Sequence, residues 1–82
     1  MSQKERQEEL RKLLFLRFNT LILSRKQTAE ALGMSTATLD RLRQQGLGPN
    51  YKKMGNYGKN GMVRYPIDSV VEYITYGQVY TA

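Results

Sequence analysis

Three residues, Gly33-Met34-Ser35, separate two stretches that each carry a helical pattern. Upstream, Ser24 and Gln27 have the S-x-x-Q spacing of a capping box, and Ala29 and Leu32 recur on one face. Gly33 suits the left-handed position that closes such a helix. Downstream, Ser35 is a natural N-cap, Leu39 and Leu42 recur at the next i, i+3 spacing, and Gly46 ends the pattern. Gly48-Pro49 prevents its resumption. So short a linker forces a large angle between two helices that share one hydrophobic contact, which is helix-turn-helix geometry.

The flanking segments add to this unit. Gln3 to Asn19 reads as a helix with Leu10, Leu13, Leu14, Arg17/Phe18 and Leu21 on one buried stripe, while Phe15 and Leu16 lie off it and widen the apolar side beyond what one small partner surface covers. Leu21-Ile22-Leu23 reads as a short extended link. After Pro49 the period changes. Tyr51 to Met54 and Met62 to Tyr65 are short and rich in strand-forming residues, and the Gly- and Asn-rich run from Gly55 to Gly61 lies between them. This predicts a two-stranded hairpin with a loop tip. Pro66 fits the first turn of a last helix, with Asp68 near its positive end and Ile67, Val70, Val71 and Ile74 on its buried face. Thr75 to Ala82 reads as a tail whose Tyr76, Val79 and Tyr80 can fold back onto the body.

Composition bounds the chemistry. A chain of 82 residues is one small domain. It has no cysteine and no histidine, which excludes a disulfide framework and a Cys/His zinc cluster and removes the commonest general base. Six tyrosines raise the idea of a recombinase nucleophile, but that chemistry needs basic catalytic partners on a much larger scaffold. No enzyme, metal or cofactor is expected. The apolar run Leu13 to Leu16 is cut by Arg17, and the mixed-charge MSQKERQEEL is unlike a signal peptide, so a soluble cytoplasmic domain without a membrane partner is expected.

Charge points to a partner. The formal net charge is +6, from 13 basic and 7 acidic residues. The first helix mixes both signs, as a solvated face does. From Gly46 to Pro66, by contrast, Lys52, Lys53, Lys59 and Arg64 have no acidic neighbour in sequence. Such an excess suits a polyanion.

On these residues the chain resembles the MerR-like winged helix-turn-helix domains of the phage excisionase and AlpA regulator group. The resemblance rests on SRKQTAEALGMS, TLDRLR, GLGP and VRYPIDSVVEYI, and covers Leu23 to Ile74, about two-thirds of the chain. Thr28 stands where the family often has an apolar residue, the order Asp68-Ser69 is inverted, and Tyr73 takes the place of a tryptophan. The resemblance implies a mainly α fold with a small β-hairpin: a winged helix-turn-helix over residues 21–76. Outside the family pattern, residues 1–20 are expected to form an extra N-terminal helix and 77–82 a C-terminal tail. The resemblance also implies sequence-specific binding of double-stranded DNA by a recognition helix (35–45) in the major groove and a basic wing (51–65). The role implied first is an excision directionality factor of a mobile element, acting with an integrase and with neighbouring copies on adjacent sites. A transcription regulator of the same fold is the alternative. A protein-interaction module working through the N-terminal helix is a third reading, of a different class.

The expected contacts follow from helix geometry. With Leu39 and Leu42 inward, steps of about 100° put Ala37, Asp40, Arg41 and Gln44 outward, with Thr36 and Arg43 on the flanks. Arginine pairs with guanine and glutamine with adenine in the major groove, and the Ala37 methyl can meet a thymine methyl. Ser35 and Thr36 can offer hydroxyls and backbone N–H groups to a phosphate. Asp40 is repelled by phosphate; it orients Arg41 or Arg43, or selects a cytosine amine. Lys52, Lys53, Lys59 and Arg64 are placed for the backbone, with Lys59 at the hairpin tip beside Tyr57, which can stack or reach a phosphate.

Overall fold

Helix α1 (Gln3–Phe18) begins on a reciprocal cap: the Glu5 amide donates to Ser2 Oγ at 3.2 Å, and the Ser2 amide donates to Glu5 Oε1 at 3.0 Å. It ends at Asn19, in the left-handed region with φ 53°, whose amide donates to the Phe15 carbonyl. The structure, a computed structural model, describes residues 2–54 and 62–76. Over these it is mainly helical with one small antiparallel sheet. Strand β1 (Ile22–Ser24) is followed by α2 (Arg25–Leu32), α3 (Thr36–Gln44), β2 (Lys52–Met54), β3 (Met62–Pro66) and α4 (Ile67–Tyr76). The expected loop tip, with Tyr57 and Lys59, and the expected tail 77–82 lie outside the described residues.

The sheet corrects the expected two-stranded hairpin. It has three strands in the order β1-β3-β2, because the apolar link after α1 is itself a strand. Leu23 alternates inward and is fully buried opposite Tyr65, while Ile22 pairs with Pro66 and points outward. The ladder continues as the Ile67 amide donates to the Leu21 carbonyl at 2.8 Å. Pro66 closes β3 rather than opening α4, and it lies past Arg64, the last β3 residue paired with β2, so its missing N–H breaks no bond to that strand.

The core comprises Leu14, Leu23, Ala29, Leu39, Tyr65, Ile67, Val70 and Val71, with Leu10, Phe18 and Leu32 packed against it. Two expected apolar stripes are narrower than predicted. On α1 the inward line is Leu10, Leu14 and Phe18; Leu13 is 55% exposed and Leu21 62% exposed, one set aside by the i, i+4 spacing and the other by the turn at Asn19. On α4, Ile74 is 40% exposed. At that turn α1 meets Thr75 instead, whose hydroxyl receives Gln7 Nε2 at 3.2 Å. Arg11 pairs with Asp68 at 2.5 Å across the same contact, and Arg17 pairs with Glu30 of α2. The N-terminal helix thus packs on the body and enlarges a small core.

Candidate nucleic-acid interface

The α2–α3 unit is fixed at each end by local chemistry. Ser24 Oγ accepts the Gln27 amide and Gln27 Oε1 accepts the Ser24 amide, each at 3.0 Å. At the far end Gly33 sits at φ 72°, and the Met34 amide reaches back to the Ala29 carbonyl at 2.9 Å. The Ser35 hydroxyl caps α3 by accepting the Thr38 amide at 3.1 Å and donates to Thr38 Oγ1 at 3.0 Å. Ser35 is therefore engaged in capping. After α3, the Leu47 amide donates to the Leu42 carbonyl, Gly46 and Gly48 adopt positive φ, and Pro49 is buried. Leu39 is fully buried and Leu42 half-buried, so the opposite face of α3 is turned away from the core.

That outer face divides into two sets. Ala37 and Arg41 are exposed, line neither hollow beside α3, and Arg41 has no ion pair among the described residues. Asp40, Arg43 and Gln44 instead look into a groove of 860 Å³ between α3 and the sheet. The sheet lends it Lys53 and Arg64, and α2 lends it Arg25 and Lys26. Lys52 is exposed on β2 outside the groove, and half-buried Thr36 lines a smaller hollow with Arg25, Lys26 and Met34. Arg25 and Lys26 are missing from the sequence-based set. A signal for them exists: two cations in the first turn of a helix oppose its macrodipole, and no acidic residue accompanies them there.

The groove carries five cationic side chains and one carboxylate. Asp40 accepts from Arg25 Nε at 2.9 Å and from its terminal nitrogen, and from Arg43 Nη1 at 2.7 Å. Hydrogen bonding from Arg25, and then from Arg43, holds the Asp40 carboxyl below the usual carboxylate range against the opposing effect of its partial burial. The expectation that Asp40 orients an arginine holds for Arg43. Its carboxylate is turned to the two arginines of its own chain. Arg43 is braced further by the Tyr51 ring, whose centroid lies 5.8 Å from the guanidinium carbon. Beneath it lies Tyr65, fully buried, its hydroxyl toward Arg43 without hydrogen-bonding geometry to any described group.

Chemically the groove is a cation-rich slot with planar guanidinium groups and no nucleophile–base pair. Among the described residues no three His, Cys, Asp or Glu side chains gather as metal ligands, and no helix is long and apolar enough to cross a membrane. No protein-family model, curated protein sequence or solved structure matches this chain.

Proposed function

We propose that this chain binds double-stranded DNA sequence-specifically, with α2 and α3 as a helix-turn-helix, α3 as the recognition helix and β2–β3 as a wing. The observation that carries the reading is the junction of two surfaces along α3. Arg41 and Ala37 offer a base-reading face, and the groove beside it, lined by Gln44, gathers Lys26, Lys53 and Arg64, with Arg25 and Arg43 held on Asp40, where a phosphate backbone would run. A protein using both surfaces reads bases with one and is held in register by the other. The MerR-like winged layout of the excisionase and AlpA group accounts for the same element order, with β1 added to the sheet and α1 packed on α4.

The role we infer is that of an excision directionality factor working with an integrase, with transcription regulation as the alternative. Selection of bound duplexes from a random library tests DNA recognition, and enrichment of no motif would overturn it. Footprinting the selected motif then separates the roles. Repeated adjacent sites with a bend support the excision factor, and one unbent palindrome supports the regulator. The interaction-module reading draws on Leu13 and Leu16, both exposed on α1. It gains if Leu16→Gln abolishes the phenotype while Arg41→Ala does not.

A further inference from the structure

The cations of the groove are of two kinds. Lys26, Lys53 and Arg64 form no ion pair with any described residue. Arg25 and Arg43 both lie on Asp40, which is 22% exposed against 47% for Arg25 and 18% for Arg43. Arg25 comes from the start of α2 and grips the carboxylate with two nitrogens, so Asp40 closes a bridge across the two helices. A two-pronged guanidinium–carboxylate contact has the same planar geometry that arginine offers a phosphate. A phosphate arriving from solvent therefore finds one of the two positive charges already neutralised and the donors that face Asp40 already engaged. Counterion release, which drives sequence-independent DNA binding, comes only from cations not neutralised by their own chain.

We propose that Asp40 is an internal competitor for phosphate, which holds Arg25 and Arg43 back from the backbone of an arbitrary duplex and so keeps down binding to DNA of any sequence. This rests on the DNA-binding reading above and adds to it a residue that limits affinity instead of supplying it. Asp40 is a positioning residue in this scheme, since it acts through the two arginines.

The test is a salt titration of the full chain on a random-sequence duplex and on heparin, a polyanion without bases. Asp40→Asn should bind the random duplex about tenfold tighter at about 0.1 M salt, with the slope of log K against log salt steeper by about 0.9 as the one positive charge that Asp40 neutralises is released. Asp68→Asn removes the same charge from the α1–α4 contact and is the control for net charge. The proposal is overturned if folded Asp40→Asn binds as the wild type does, or if Asp68→Asn tightens binding equally. Arg25→Gln completes a double-mutant cycle: it should cost the Asp40→Asn protein about 0.9 of slope and the wild type less than half of that. Should Asp40→Asn not fold, Arg25→Gln is compared with Lys53→Gln in the otherwise native chain. A slope loss as large as that of Lys53→Gln overturns the proposal, and one under half of it supports it. Failure of the underlying reading looks different: the wild type then shows no salt-dependent binding to any duplex, and the heparin series still scores the competition by Asp40.

Discussion

Ser24 and Arg64 stand opposite one another in the β1–β3 ladder, and the same serine caps α2. On its other side Arg64 faces Lys52 of β2. One residue thus fixes both where the strand is paired and where the helix begins. The angle between the α2–α3 unit and the hairpin strands is set by backbone hydrogen bonds rather than by a flexible linker. A groove with one wall on α3 and the other on β2–β3 keeps its shape only if that junction is rigid.

The cap at this junction has a measurable worth. In Ser24→Ala the Gln27 amide loses its acceptor, a change that typically costs about 1 kcal/mol. For a domain of this size that corresponds to a fall in Tm of roughly 4–8 °C. Thermal denaturation followed by circular dichroism measures it, and an unchanged Tm would show that the cap contributes nothing.

Thr28 gives a prediction of opposite sign. Its side chain is fully buried on α2, and Oγ1 has no hydrogen-bond partner among the described residues. Valine has nearly the same shape and the same branching at Cβ, so Thr28→Val removes the polar penalty without opening a cavity. A gain of about 1 kcal/mol is expected, read as a higher midpoint in urea with the same m-value. A lower midpoint would mean that the hydroxyl finds a partner in solution.

On α1, neighbouring leucines should behave differently. Leu14 is in the core, and Leu14→Ala should cost about 2–4 kcal/mol. Leu16 is 71% exposed, and Leu16→Gln should stay within about 0.5 kcal/mol. Since α1 spends its inward line on α4 and the core, the free chain should sediment as a monomer or a weakly associating dimer. A tight dimer that Leu16→Gln dissociates would move the exposed side of α1 into an interface.

Most of the fold is legible in punctuation. Ser24 with Gln27, Gly33, Ser35 and Gly46 mark the limits of α2 and α3 through local cap chemistry, and local chemistry is what a sequence displays. The third strand is not legible, because Ile22-Leu23-Ser24 is too short to show a period and becomes a strand only by pairing with residues some forty positions away. For the same reason Leu13 and Ile74 look like core residues: periodicity shows that a helix has an apolar side, not how far its neighbour extends along it. The candidate site divides likewise. Arg41, Arg43, Gln44, Lys53 and Arg64 follow from helix phase and the run of unbalanced charge. Arg25 and Lys26 reach the groove only because β1 carries the start of α2 to the sheet. The pairing of Asp40 with Arg25 spans fifteen residues and cannot be read from spacing.

The two surfaces along α3 make separable predictions. Arg41 is exposed, stands outside the groove, and has the phase of a base-reading residue. Arg41→Ala should weaken binding to a selected site by roughly 1–3 kcal/mol and leave binding to a scrambled duplex nearly unchanged. Lys53 lines the groove from β2 without an ion pair among the described residues, where its contact would be a phosphate. Lys53→Ala should weaken both duplexes alike and lower the magnitude of the salt slope by about 0.9. Both variants change exposed side chains, so circular dichroism should show the native spectrum and any loss can be assigned to contact. The two titrations are run side by side on the selected and scrambled duplexes. If Arg41→Ala keeps full discrimination, α3 does not read bases through that residue. If Lys53→Ala leaves affinity and slope unchanged, the groove faces something other than a phosphate backbone.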